Sequence, residues 1–165
     1  MKKVVIIGGG FCGTHAAKSL EQDFDVTLID TKDYFEFTPG ILRTLVQPEH
    51  GKKIQAKHTD YLKKTNIILG DATDITTKTV FVKPSPNRVW RGTSEQVPIV
   101  KKKIKFDYLI IASGSTYNLP IKAKDIVLST RAKDLQAYHE KLDKAKDILI
   151  IGGGIVGIEL AAEIA

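Results

Sequence analysis

The sequence contains a single cysteine, Cys12, and no uninterrupted apolar run long enough to cross a bilayer. One cysteine excludes a disulfide within the chain and is typical of a protein of the reducing cytoplasm. The candidate stretch near the C-terminus, ILIIGGGIVGIELAAEIA, contains Glu159, Glu163 and three consecutive glycines, which exclude a membrane-spanning helix. The first residues already follow a strand pattern, without the apolar region and cleavage site of a signal peptide. We therefore expect a cytoplasmic protein.

Aromatic residues make up only 7% of the chain, and lysine supplies most of a formal net charge of +6. The basic cluster at residues 101–105 has no aromatic side chains among its lysines, and the basic stretch AKDLQAYHEKLDKAK also contains acidic residues. We therefore expect a solvated lysine-rich surface and no nucleic-acid partner. Attraction of the lysines to anionic lipid headgroups is the alternative. The four histidines do not have the spacing of metal ligands, so no metal site is predicted.

Residues 1–30 predict a strand, a tight turn, a helix and a second strand, which together form a βαβ unit. Gly8, Gly10 and Gly13 form the pattern G-x-G-x-x-G between the strand KVVIIG and the helix FCGTHAAKSLEQD. The first glycine allows the tight turn, the second lets a pyrophosphate approach the backbone, and the third lets the helix pack on the strand. Asp30 ends the second strand, DVTLID, where a carboxylate can accept hydrogen bonds from ribose hydroxyls. This pattern predicts a dinucleotide site and favours FAD or NAD over NADP.

The middle of the chain predicts further strands of the same sheet. NIILGDATDIT and KIKFDYLIIASGS are typical of strands, and the second is expected to be buried and to end in the small residues Ala112, Ser113 and Gly114. Residues 79–100, TVFVKPSPNRVWRGTSEQVPIV, predict an antiparallel β-meander, and GILRTLV predicts a short helix. The predicted fold class is α/β: a Rossmann-type FAD/NAD(P)-binding domain with a parallel sheet, helices on both faces and an antiparallel β-meander.

A second G-x-G-x-x-G pattern follows near the end of the sequence, at Gly152, Gly154 and Gly157. DILII before it predicts a strand and ELAAEIA after it predicts a helix, while STRAKDLQAYHEKLDKA predicts an earlier helix. The second pattern is not followed by a further strand or a ribose acid in this sequence. We therefore expect only the beginning of a second dinucleotide site.

Two such motifs, with a strand ending in an A-T-G-like triplet between them, resemble the two-dinucleotide-binding flavoproteins. GGGFCGTHAAKSL, DVTLIDTKDYFEFTPGIL and IGGGIVGIELAAEIA are most similar to type II NADH:quinone oxidoreductases and to the apoptosis-inducing-factor-like, ferroptosis-suppressor group of pyridine nucleotide-disulfide oxidoreductases. The resemblance implies FAD at the first motif, NAD(P)H at the second, and hydride transfer to FAD and on to a quinone or other electron acceptor. It makes residues 1–118 an FAD-binding segment and residues 119–165 a linker, a helix and the first strand-turn-helix of an incomplete NAD(P)H-binding domain.

The resemblance also assigns cofactor contacts to the residues that match the family's motifs. These are Gly8, Gly10, Phe11, Cys12, Gly13, Asp30, Thr31, Lys32, Thr38, Pro39, Ala72, Ala112, Ser113, Gly114, Gly152, Gly154 and Gly157. Glu159 matches a glutamate near the nicotinamide and is the candidate catalytic residue. Cys12 lies inside the glycine turn and has no C-x-x-x-x-C partner, which argues against disulfide or sulfide oxidation.

The resemblance matches only the N-terminal portion of a typical family member. The rest of the NAD(P)H site, a later Gly-Asp segment and the C-terminal region for membrane attachment and dimer formation have no counterpart in this sequence. We therefore expect turnover to require that missing region or a partner chain, with peripheral membrane contact as a further expectation. Two alternatives remain. One is a non-catalytic FAD- or nucleotide-binding module that acts with a partner chain, and the other is a ferredoxin- or rubredoxin-reductase-like flavoprotein, whose acidic electron carrier would suit a basic surface.

Overall fold

The computed structural model describes residues 1–85, 101–123 and 127–165, which form two compact units. Of the described residues, the first unit contains 1–35, 56–85, 101–115 and 127, and the second contains 36–55, 116–123 and 128–165. Residues 36–55 thus belong to the same unit as the C-terminal part of the chain. The predicted domain boundary after residue 118 stays a prediction.

The described residues contain eight strands and five α-helices. The strands are β1 (Lys3–Ile7), β2 (Asp25–Asp30), β3 (Tyr34–Glu36), β4 (Gln55–Lys57), β5 (Asn66–Ile75), β6 (Thr79–Pro84), β7 (Lys102–Lys105) and β8 (Tyr108–Ile111). The helices are α1 (Phe11–Leu20), α2 (Gly51–Ile54), α3 (His58–Tyr61), α4 (Leu128–Asp143) and α5 (Ile155–Ile164). Three 3-10 turns, Thr38–Gly40, Leu42–Leu45 and Pro48–His50, precede α2.

Six strands form one sheet in the order β7-β6-β5-β2-β1-β8, and β3 and β4 form a separate two-stranded sheet. β1 pairs in parallel with β2 and β8, and β2 pairs in parallel with β5, so the carboxyl ends of these four strands meet at one edge. β6 and β7 extend the sheet by antiparallel pairing. The predicted α/β class with a Rossmann-type parallel sheet is confirmed. Of the meander predicted at residues 79–100, residues 86–100 lie outside the described part of the chain.

The central strands place alternate side chains on opposite faces of the sheet, and each face has its own apolar cluster. The cluster on one face contains Val4, Ile6, Ala17, Val26, Leu28 and Leu62. The cluster on the other face contains Val5, Ile29, Ile68, Val80 and Val82. Since Ala17 belongs to α1, the first cluster holds that helix against β1 and β2, with the N-terminus of α1 directly after the turn that follows β1.

The strand predicted in KIKFDYLIIASGS differs from the structure in two respects. It is divided into β7, which pairs with β6, and β8, which pairs with β1. Asp107 lies between them, and its carboxylate accepts a hydrogen bond from the N–H of Lys3 at 2.7 Å. It was also predicted to be buried, yet the side chains of Tyr108 and Ile111 are more than half exposed. The reason is that β8 is the last strand of the sheet within the described residues, which a strand pattern alone does not reveal.

Glu21 is a buried carboxylate that ties the end of α1 to the chain before β5. Its Oε2 accepts hydrogen bonds from the N–H groups of Lys63 and Lys64 at 2.9 and 3.0 Å, and its Oε1 accepts one from the Lys18 ammonium at 2.9 Å. Burial raises the pKa of Glu21, but the hydrogen bonds from Lys18, from these two N–H groups and from Thr65 outweigh burial and lower the pKa from 4.5 to about 2.

We expect this carboxylate to make the first unit sensitive to acid. Because the folded pKa lies below the unfolded one, its contribution is complete above pH 4.5 and is lost as the pH falls through about 2. Because solvent screens the exposed Lys18 ammonium, we expect the ionised Glu21 to contribute about 2 kcal/mol to the free energy of unfolding. Urea unfolding at pH 7 and pH 3 measures it: a Glu21→Gln variant should be less stable at pH 7 and show a weaker pH dependence. Equal pH dependence of the two proteins would contradict the assignment.

The second unit packs around a cluster of buried apolar residues. These are Ile41, Leu42, Leu45, Ile54 and Leu135. The 3-10 turns over residues 38–45 take the place of the short helix predicted in GILRTLV, and α4 confirms the helix predicted in STRAKDLQAYHEKLDKA. Side chains from α4 and α5 therefore share one core with the turn segment.

The segment DILII was predicted as a strand, and this prediction is wrong for the structure. Residues 147–151 form no strand, and Leu149 and Ile151 are 85% and 90% exposed. A strand exists only where a neighbouring strand receives its backbone hydrogen bonds, and none of the described strands pairs with this segment. The apolar pattern is compatible with a strand, but none of the described strands provides the partner that a strand requires.

Candidate nucleotide-binding site

The turn between β1 and α1 is built so that two of its glycines are required by the fold itself. Gly8 has a φ of +99°, in the left-handed region that favours glycine, and its N–H donates to the carbonyl of Ile29 at 2.8 Å. A Cβ on Gly13 would lie only 1.8 Å from the carbonyl oxygen of Gly8. The helix can therefore begin this close to the strand only because Gly13 has no side chain.

Gly10 differs from these two, because no contact among the described residues explains why it is a glycine. Its φ of −81° and ψ of −160° are extended backbone, which other residues adopt readily. Apart from its chain neighbours, no heavy atom of the described residues lies within 4 Å of the position that its Cβ would take. The described residues thus leave the space next to the N-terminus of α1 open, as a pyrophosphate approaching the backbone requires.

The end of β8 lies against the same turn. A Cβ on Gly8 would be 2.3 Å from the carbonyl oxygen of Ala112 and 3.2 Å from the Cα of Ser113, and the N–H of Ala112 donates to Ile7 at 2.8 Å. Gly114 follows with a φ of +67°. The structure therefore brings together two motifs that are far apart in the sequence, the glycine turn and the small-residue strand end.

Asp30 lies directly beneath this turn, at the end of β2, and is 8% exposed. Its Oδ2 accepts the N–H of Gly9 at 3.0 Å, and its Oδ1 accepts the N–H of Lys32 at 3.3 Å. A Cβ on Gly9 would lie 2.3 Å from Oδ2, so the carboxylate is packed against the backbone of the turn. The acid predicted to bind ribose is thus joined to the glycine turn by a hydrogen bond.

His58 is a member of this site that sequence reasoning missed. Its ring is fully buried, with Nε2 at 3.2 Å from Oδ2 of Asp30 and Nδ1 at 2.5 Å from the hydroxyl of Tyr61. Burial raises the pKa of Tyr61, and the negative charge of Asp30 raises it further. The spacing of His58 and Tyr61 within one turn of α3 was readable from the sequence, but their contact with Asp30 depends on the folding of the sheet.

The remaining predicted residues of the first unit surround the same carboxyl edge. Phe11 and Cys12 form the exposed start of α1, and the ring of Phe11 meets that of Phe35 edge to face at 5.1 Å. Thr31 and Lys32 follow Asp30 directly. Ala72 lies on β5, three residues beyond Leu69, which pairs with Asp30. Their contacts with a cofactor stay predictions.

The second glycine turn has the same internal geometry as the first. Gly152 has a φ of +107°, a Cβ on Gly157 would lie 2.1 Å from the Gly152 carbonyl oxygen, and Gly154 begins α5 with a φ of −76° and a ψ of 178°. Its surroundings differ, since apart from the chain neighbours no heavy atom of the described residues lies within 4 Å of a Cβ on Gly153, whereas the corresponding Gly9 contacts Asp30. Among the described residues, the second turn therefore has no side chain at the position that Asp30 takes beside the first turn.

For the other predicted residues of the second unit, the described part of the structure shows no side-chain hydrogen bond or ion pair with either glycine turn. Thr38 and Pro39 form the first 3-10 turn of that unit, and Glu159 is exposed on α5. Glu163, on the same helix, forms an ion pair with Arg43 at 3.0 Å. The roles of Thr38, Pro39 and Glu159 stay predictions.

Two further findings concern the part of the chain that the structure describes. In residues 1–85, 101–123 and 127–165, no group of three or more histidine, cysteine or carboxylate side chains is arranged to hold a metal ion. Within the same ranges, the helices are all too short or too polar to span a membrane.

The sequence is similar to that of several known proteins. The profile described as pyridine nucleotide-disulphide oxidoreductase matches residues 2–165. The chain is 34% identical over 165 residues to apoptosis-inducing factor homolog B of Dictyostelium discoideum, covering 99% of this chain and 38% of that protein. It is 31% identical over 166 residues to ferroptosis suppressor protein 1 of Xenopus tropicalis, covering 98% and 40%.

A similar fold is found in the solved structure of NDH2 from Plasmodium falciparum in complex with NADH. The TM-score is 0.71 at 22% sequence identity, and the match covers 98% of this chain and 36% of that one. The chain therefore spans less than half the length of each of these three proteins.

Proposed function

The chain belongs to the pyridine nucleotide-disulphide oxidoreductase family, and we propose that it is the cofactor-binding part of an FAD-dependent NAD(P)H dehydrogenase that passes electrons to a quinone-type acceptor. FAD and NAD(P)H fit this family as its cofactors. The flavin, when bound, supplies the capacity to take a hydride from NAD(P)H and to deliver electrons to the acceptor. The activity of the whole protein is part of this proposal, because the chain covers only 36–40% of the length of the three proteins compared above.

The observation that carries the proposal is the first glycine turn, in which an open position is combined with a buried acid. Gly10 leaves room beside the N-terminus of α1, where backbone N–H groups and the helix dipole favour a pyrophosphate. Asp30 is held beneath that turn with its carboxylate fixed by backbone hydrogen bonds. Gly8, Gly10 and Gly13 would hold the pyrophosphate of FAD, and Asp30 would hold the ribose of its adenosine.

The charge of Asp30 supports FAD rather than a 2′-phosphorylated nucleotide at this turn. A carboxylate accepts hydrogen bonds from a free 2′-hydroxyl but repels a 2′-phosphate at the same position. The second turn has no such acid among the described residues, and both NADH and NADPH are included in the proposal as electron donors.

The single cysteine supports a quinone-type acceptor over a disulfide substrate. Disulfide reduction requires two sulfurs that exchange electrons with the flavin, and Cys12 is the one cysteine of the sequence. Transfer from flavin to a quinone needs no protein thiol. The proposal includes contact with the periphery of a membrane, where quinones reside, and a requirement for further polypeptide to complete the second site.

The proposal predicts that the purified chain binds FAD and that Asp30 contributes to the affinity. The visible absorption spectrum, recorded as purified and after addition of FAD and gel filtration, should show protein-bound flavin. An Asp30→Asn variant should bind FAD about 10- to 100-fold more weakly, because it loses a charged hydrogen-bond acceptor. Asp23→Asn, a change at an exposed acid after α1, serves as the control and should bind FAD like the wild type.

A colourless protein that takes up no added FAD would contradict the proposed function. A second measurement separates an enzyme from a binding module. NADH and NADPH oxidation with a soluble quinone is followed for the flavin-loaded chain, alone and with a polypeptide that supplies the remaining part of a relative. Flavin binding without oxidation in either mixture would favour the non-catalytic module.

A further inference from the structure

The strongest feature outside the glycine pattern is the buried chain of contacts from Tyr61 through His58 to Asp30. His58 has no exposed surface, and both of its ring nitrogens lie within hydrogen-bond distance of a partner. Its backbone is fixed as well, since the N–H of His58 donates to the carbonyl of Asp33 at 3.0 Å. The short helix α3 is therefore attached to the loop that follows Asp30.

The chemistry of the three groups determines which atom donates each hydrogen bond. An ionised carboxylate only accepts, so the proton between His58 and Asp30 belongs on Nε2 of the imidazole. In a neutral ring Nδ1 is then an acceptor, and the Tyr61 hydroxyl donates to it. The raised pKa of Tyr61 keeps that hydroxyl protonated and able to donate.

This order of donors leaves one side of the carboxylate for a ligand. Oδ2 of Asp30 accepts both the N–H of Gly9 at 3.0 Å and Nε2 of His58 at 3.2 Å, which uses its two lone pairs. Among the described residues, Oδ1 accepts only the N–H of Lys32, at a longer 3.3 Å. The carboxylate cannot rotate without breaking the two bonds at Oδ2, so Oδ1 is held in a fixed direction.

We infer that His58 is a positioning residue for ribose recognition, which holds Asp30 so that Oδ1 is presented to the 2′-hydroxyl of an adenosine nucleotide. The inference rests on the proposed FAD-binding function and adds a source of selectivity to it. A carboxylate already oriented by the protein loses less conformational freedom when it binds than one that is free to rotate. His58 would act through Asp30 and would not itself touch the nucleotide.

The test compares ADP with 2′-deoxy-ADP as competitors of FAD on the whole chain. The wild type should bind ADP about tenfold more tightly than 2′-deoxy-ADP, because the two nucleotides differ only in the 2′-hydroxyl, from which Asp30 would accept a hydrogen bond. In His58→Leu this preference should fall to nearly equal binding. His58→Gln, whose amide nitrogen reaches the position of Nε2, should restore most of it. His15→Leu, at an exposed histidine of α1, is the control and should keep the wild-type preference.

A merely structural role of His58 would lower affinity for both nucleotides equally and leave the preference at about tenfold, and this result in folded His58→Leu overturns the inference. If His58→Leu does not fold, Tyr61→Phe decides. It removes the donor to Nδ1 and should reduce the preference about threefold, whereas an unchanged preference in this variant overturns the inference.

A wild type that binds neither FAD nor ADP overturns the proposed function together with the inference. A wild type that binds FAD and shows no preference between the two competitors overturns the inference alone.

Discussion

A Gly10→Val variant is expected to fold like the wild type and to lose at least about 100-fold in affinity for FAD. The backbone of Gly10 is extended, and no described residue other than its chain neighbours lies within 4 Å of a Cβ at this position, so the described part of the protein leaves room for a valine side chain. That same space is where a pyrophosphate would approach the N-terminus of α1, and the two methyl groups would fill it. Titration of FAD by fluorescence quenching, with thermal unfolding measured in parallel, separates loss of binding from loss of structure.

Two companion variants give this experiment its controls. Gly154→Val introduces the same residue at the start of α5, with the same small cost at a helix N-cap, and should leave FAD affinity unchanged. Gly13→Val should behave in the opposite way and prevent stable folding, since its Cβ would lie 1.8 Å from a backbone oxygen. The destabilisation expected there is about 4 kcal/mol or more. Wild-type FAD affinity in folded Gly10→Val would contradict the placement of the pyrophosphate.

An Arg131→Met variant is expected to destabilise the second unit by about 3–5 kcal/mol, because it leaves the carboxylate of Glu36 buried without its cation. Arg131 is fully buried, and its Nε and Nη2 lie 3.0 and 3.2 Å from the two carboxylate oxygens of Glu36. Nη2 also donates to the carbonyls of Pro120 and Ile121 at 2.7 and 3.2 Å. The side chain thus connects α4 to two other segments of its unit, and the loss should appear in urea unfolding monitored by circular dichroism.

The origin of this effect is testable with a second substitution in the same pair. In the double variant Glu36→Leu/Arg131→Met both charges are replaced by apolar groups, so most of the lost stability should return. Arg43→Met is the matched control, because the Arg43–Glu163 pair lies at the surface and its removal should change stability little. A double variant as unstable as Arg131→Met would show that the hydrogen bonds to Pro120 and Ile121, rather than the uncompensated charge, account for the loss.

The parts of the fold that sequence reasoning found are those encoded by neighbouring residues. β1, the glycine turn, α1 and β2 follow one another within a short stretch, and their periodicity and turn glycines identify them without knowledge of the rest of the chain. The small residues that follow β8 were also identified locally, but their contact with Gly8 was not predicted, because it joins residues far apart in the sequence. The acid at Asp30 was identified from its neighbouring residues as well.

The parts that were missed depend on pairing between distant residues. His58 meets Asp30, and Arg131 meets Glu36, only after the chain has folded, and neither pair has a fixed spacing in sequence. The exposure of β8 depends on its place at the end of the sheet. The pattern at residues 148–151 is that of a strand, but a strand also requires a partner, and the pattern says nothing about whether one is present.

The two glycine turns have similar backbone shapes in different surroundings. One copy is enclosed by Ala112, Asp30 and His58 and the other has open space around its first three glycines, yet the φ angles of their leading glycines are +99° and +107°. This similarity indicates that the backbone shape of the G-x-G-x-x-G turn depends mainly on its own sequence. For protein design, this means that a G-x-G-x-x-G turn could be transplanted into another strand–helix junction with its geometry intact. Affinity and selectivity would then have to be supplied by the new host, through the side chains placed beneath it.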